Sequence, residues 1–118
     1  MDKKSFEQLY ENFNSRKIDL VTSGMTDDVK WANGMEGGYV YGRNGVREYW
    51  TKQFTLISPR VTPLEIEEQD GIVKIKVHQV ANDLNGNLLA DELVYHYFQL
   101  RGDKIAQFDI GEKIKNNP

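Results

Sequence analysis

The second half of the chain constrains the fold most. From residue 62 to residue 110 it alternates apolar and polar side chains in long runs. Only Asp70-Gly71, Asp83-Leu84-Asn85-Gly86-Asn87 and Arg101-Gly102-Asp103 interrupt them. Alternation of period two marks a half-buried strand, and an Asp-Gly pair between two such runs is a strong hairpin signal. Residues 62–69, 72–82, 88–100 and 104–110 are therefore expected to form an antiparallel meander.

The first half carries helical periods instead. Phe6, Leu9, Tyr10 and Phe13 follow at i, i+3, i+4 and i+7, one apolar stripe on a helix. Ser5, with Gln8 three residues on, reads as its capping box, and the helix is expected to end near Asn14-Ser15. Asp19 is the expected cap of a short second helix carrying Leu20, Val21 and Met25, with Gly24 near its end. Residues 28–33 read as a strand with Val29, Trp31 and Asn33 on one face, and residues 39–41 as a short strand after a glycine-rich connection. Asn44 is the expected N-cap of a third helix, with Val46, Tyr49, Trp50, Gln53, Phe54 and Ile57 on one face and Pro59 as its stop. Helices first and strands last define an α+β class: three helices packed on a curved antiparallel sheet, a cone-shaped α+β roll.

A chain of 118 residues has single-domain length. The domain is expected over 1–112, with a polar tail over 113–118. Net charge is −3 and no Lys/Arg run exceeds Lys3-Lys4, which argues against nucleic-acid and membrane-surface binding. The absence of cysteine excludes disulfides, thiolate nucleophiles and Cys-based metal sites. The N-terminal residues lack the apolar core of a signal peptide, and no stretch approaches the roughly 20 apolar residues of a membrane span. A cytoplasmic protein is the expectation. No cofactor or metal is expected. Residues 34–45 are glycine-rich but match no phosphate-loop spacing, and 83–87 lacks the pattern of a calcium loop. The two histidines are 18 residues apart without a paired-carboxylate motif.

A bent sheet with helices across its concave face leaves a cavity at its wide end. Trp31, Trp50 and Phe54 are expected to wall it, beside the polar Asn33, Gln53 and His96. Strand alternation adds Phe98, on the face of His96, and Gln79, on the face of Val73, Ile75 and Val77. His96 is the leading acid/base candidate, because imidazole titrates near neutrality. Asp109, flanked by Phe108 and Ile110, is a second candidate base, although the register sends Phe108 inward and Asp109 outward. His78 is expected on the outer face with Lys74 and Lys76.

Several strings in order resemble the nuclear transport factor 2-like superfamily, in its SnoaL-like and ketosteroid-isomerase-like branch. They are Phe13-Asn14-Ser15-Arg16-Lys17-Ile18-Asp19, Asp27-Asp28-Val29-Lys30-Trp31, Gly42-Arg43-Asn44-Gly45-Val46-Arg47-Glu48-Tyr49-Trp50 and Phe108-Asp109-Ile110-Gly111-Glu112. The resemblance covers nearly the whole chain. It implies a homodimer joined through the outer sheet faces and a pocket for a small apolar organic ligand. It also exposes departures. The isomerases place a base aspartate at the end of the first strand, where this chain has Asn33. Their oxyanion tyrosine on the first helix aligns with Leu9, leaving Tyr10 pointing elsewhere, and their second oxyanion donor aligns with His96. Three readings stay open. One is an acid/base isomerase, cyclase or hydratase using His96, with Asn33 at a developing oxyanion. The second is a non-catalytic ligand-binding dimer, and the third an interaction domain with a vestigial pocket.

Overall fold

The computed structural model describes residues 1–113. Its elements are α1 (Lys3–Asn14), α2 (Ile18–Thr22), β1 (Met25–Ala32), β2 (Tyr39–Tyr41), α3 (Gly42–Phe54), β3 (Ile57–Gln69), β4 (Ile72–Asp83), β5 (Leu88–Arg101) and β6 (Lys104–Lys113). The strands form one curved sheet of six in the order β2-β1-β6-β5-β4-β3, and the helices pack on its concave face. No helix among the described residues is long and apolar enough to cross a membrane. Of the expected polar tail, Lys113 belongs to β6, and 114–118 lie outside the described residues.

The meander from β3 to β6 is antiparallel throughout, as its turns require. Asp70 and Gly71 both take positive φ, 53° and 79°, the demand of a type I′ hairpin turn. The sheet as a whole is mixed, not antiparallel. β1 lies beside β6 and runs parallel to it, with an irregularity between Met25 and Lys30.

Helix boundaries differ from the sequence reading in instructive ways. Asp2, not Ser5, caps α1: its Oδ1 accepts from the Ser5 backbone N–H and from the Ser5 hydroxyl, both at 2.8 Å. Asp19 lies inside α2, where its carboxylate accepts from Arg47 Nε at 3.0 Å. Met25 opens β1. α3 starts at Gly42, so Asn44 is inside it and accepts from Arg47 Nη1 at 2.7 Å. α3 ends at Phe54; Ile57 and Pro59 belong to β3, the outermost strand, which has a partner on one side only.

The core lies between the helices and the inner sheet face. Phe6, Met25, Val29, Val46, Ile75, Val77, Phe98 and Ile105 are almost wholly buried. The alternation in β4 holds: Val73, Ile75 and Val77 are buried while Lys74, Lys76 and His78 are not. One side chain ties the helical layer to the sheet edge. Asn14 Nδ2 donates to the Val61 carbonyl at 2.8 Å, and its Oδ1 accepts from the Val61 N–H at 2.9 Å. Asn14→Ala leaves both backbone groups without this partner, so a loss of about 1–3 kcal/mol in unfolding free energy is expected from urea melts.

Candidate functional site

The wide end of the roll holds a cavity of about 170 Å³. Its walls come from all three helices, the turn after β1 and the inner face of every long strand. The aromatic part is continuous. Trp31 meets Trp50 edge-on at 5.2 Å between centroids and stacks on Phe108 at 4.1 Å. Phe13 meets Trp50 at 5.1 Å. The cavity wall includes six of the residues expected there, Trp31, Trp50, Gln53, Gln79, His96 and Phe98.

Three others are placed elsewhere. Phe54 packs against Phe13 at 5.4 Å and lies beneath the Arg16 guanidinium, 4.4 Å from its ring centre. Asn33 follows the end of β1, and its Oδ1 accepts from the N–H groups of Met35 and Glu36 at 3.0 and 2.9 Å. It folds the glycine-rich turn rather than lining the cavity. Asp109 points to the outer face, as the register implied. It accepts from the Tyr39 hydroxyl at 2.5 Å and from Gln107 Nε2 at 2.7 Å. Asp109 opposes Tyr97, the neighbour of His96, so the two candidate acid/base groups lie on opposite faces of the sheet. His78 is also outside, with Nε2 2.7 Å from the Asp91 carboxylate.

The central polar feature of the cavity is a pair. Tyr10 Oη and His96 Nδ1 are 2.7 Å apart, both residues are buried, and their ring planes are nearly parallel, 11° apart. Tyr10 therefore points inward, against the sequence alignment that turned it elsewhere. The ring of His96 is held edge-on by Phe108 at 4.9 Å between centroids. Its second nitrogen makes no hydrogen bond among the described residues. Burial lowers the imidazole pKa to about 3, so His96 is neutral at ordinary pH. Burial likewise pushes the Tyr10 phenol well above its usual value. At the mouth, the Tyr49 hydroxyl accepts from the Gly34 N–H at 3.1 Å and lies 3.5 Å from Gln53 Nε2. Tyr49 and Phe108 complete the wall without having been singled out from the sequence. Tyr49 sat on the apolar face of the third helix and Phe108 on the inward register, so both signals were present.

The chain is thus a curved α+β roll whose apolar cavity carries a buried, uncharged polar pair. The sequence pattern of the SnoaL-like domain matches residues 6–108, and the chain belongs to that family. Solved structures agree in fold. TerC, co-crystallized with polyporic acid, is 28% identical with a TM-score of 0.77, over 86% of this chain and 83% of that one. An NTF2-like protein of unknown function from Burkholderia pseudomallei is 22% identical with a TM-score of 0.80, over 91% and 86%. A protein with a ketosteroid isomerase-like fold from Catenulispora acidiphila, in complex with trimethylamine, is 12% identical with a TM-score of 0.76, over 86% and 78%. No curated protein matches the sequence.

Proposed function

We propose that the cavity binds a small, mostly apolar organic molecule and that Tyr10 and His96 together move a proton on it. The carrying observation is the 2.7 Å contact between Tyr10 Oη and His96 Nδ1 inside the cavity wall. TerC, which has a similar fold, was co-crystallized with polyporic acid, which supports a small organic ligand here.

A free imidazolium is costly at this depth, so the favoured route never forms one. In the tautomer with the proton on Nδ1, Nε2 accepts a proton from one atom of the ligand. The Nδ1 proton passes to Tyr10 Oη, and the phenol proton goes to a second atom of the ligand. Every group ends neutral and the ligand's formula is unchanged, which is an isomerisation by proton transfer. Trp31, Trp50 and Phe98 hold the apolar body, and Gln53 and Gln79 hydrogen-bond its outer end. Among the described residues no carboxylate lines the cavity, which favours one rival reading, a pocket that binds without chemistry.

Deuterium exchange separates the two. Small cyclic ketones are incubated in D₂O and followed by NMR. The protein is expected to accelerate exchange at the carbon beside the carbonyl. His96→Gln and Tyr10→Phe are each expected to lower that rate at least about 100-fold, while ketone binding persists. Binding that weakens in Trp50→Ala, with no acceleration by the unaltered protein, assigns the pocket to binding alone.

A further inference from the structure

We infer that this cavity takes its ligand only in an uncharged form, as a one-ring molecule bearing a hydroxyl or carbonyl, and rejects the matching anion and ammonium. The inference rests on the reading that the cavity holds a small organic ligand, and narrows its chemical class.

A dry cavity of about 150 Å³ is enough for benzene, so about 170 Å³ suits one substituted ring. Charged residues make up 28% of the sequence, yet among the described residues none lines the cavity. The cations nearby in the fold are committed. Arg16 lies over Phe54 and donates to the Phe13 carbonyl at 3.3 Å and to Ser58 Oγ at 3.2 Å. Lys52 is 3.8 Å from Glu36.

The polar pair points the same way. An anion in a dry site is stabilised by donors converging on it. Tyr10 and His96 have two exchangeable protons between them, and one of these is used in their mutual hydrogen bond. The pair therefore offers the ligand one donor and one acceptor. That matches a hydroxyl or an enolisable carbonyl and wastes the acceptor on an anion. The depressed basicity of His96 agrees, since no imidazolium is available as a counter-ion. Among the described residues, no carboxylate lines the cavity to pair with an ammonium.

The unmodified protein tests this directly. Trp31 and Trp50 are its only tryptophans and both line the cavity, so intrinsic fluorescence reports occupancy. Three ring-sized probes are compared: 4-methylphenol, benzoate and benzylamine. The phenol is expected to bind at least 100-fold tighter than either ion. 4-Nitrophenol, whose neutral and ionised forms differ in colour, supplies a test of sign. Excess protein is expected to shift its absorbance titration to higher pH, and its affinity is expected to fall tenfold per pH unit above its own pKa. A shift to lower pH, or benzoate or benzylamine binding within threefold of the phenol, overturns the inference and leaves the cavity reading intact. Failure of all four probes to bind overturns both.

Discussion

Phe98→Ala is expected to lower the unfolding free energy by about 3–5 kcal/mol, the usual cost of emptying a buried phenylalanine site. Phe98 is 1% exposed and forms the hub of the inner face. Its ring lies 5.2 Å from that of Phe6, 5.1 Å from Phe108, 6.2 Å from Trp31 and 6.3 Å from Tyr10. These neighbours come from α1, β1 and β6, so no single element can relax to fill the gap. The loss is a large part of the roughly 5–15 kcal/mol that holds a typical domain together. Urea denaturation of Phe98→Ala beside Phe98→Leu checks it. A loss below about 1 kcal/mol for the alanine variant would mean that the helices collapse onto the sheet without the ring.

Acidification is expected to destabilise the protein well above the carboxylate range. The unfolded chain protonates His96 near the ordinary value of 6.5, and the folded chain only near 3. Between those values the unfolded state binds more protons, so stability is full above about 6.5 and falls as pH drops towards 3. From pH 6.5 to 4.5 the linkage amounts to about 2 kcal/mol. Asp2, Asp28 and Asp83 are held below 3.8 by hydrogen bonds from Ser5, Arg101 and Asn87, so their losses begin at lower pH. Urea midpoints at half-unit pH steps should fall through this window in the native sequence and flatten there in His96→Gln. An equal slope in both would locate the acid-sensitive group elsewhere.

Much of the meander was legible, because period-two alternation and Asp-Gly turns are local signals. Val73, Ile75 and Val77 inward, His78 outward, and His96 with Phe98 inward all followed from it. Tyr10 shows how a local signal was overridden. It lies on the same helical stripe as Phe6 and Phe13, which already pointed it inward, but alignment by resemblance put Leu9 in its place. The partnership with His96 spans 86 positions of sequence, and no spacing rule reaches that far. Asn33 failed for a different reason. It lies one residue past the end of β1, where alternation no longer applies because the backbone turns and the carboxamide caps the turn instead. The parallel pairing of β1 with β6 left no trace in either strand, since pairing between distant segments carries no turn chemistry. Pro59 carries a helix-stop signal, whereas the helix ends earlier, at Phe54.

The bonds between Asn14 and Val61 bear on how the molecule stays apart from its own copies. A strand at a sheet margin normally offers a ladder of unpaired N–H and C=O groups to any extended chain. Val61 turns both of its groups away from β4, and both are taken by Asn14. Pro59 and Pro63 lie two residues to either side, in the same lateral phase, and have no N–H to give. Over this stretch the margin of β3 has no free donor for a foreign strand. At the opposite margin, β2 is only three residues long. Residues 59–63 of β3 and the short β2 thus resist the strand-on-strand growth that leads to amyloid, and one carboxamide on the first helix supplies part of that protection.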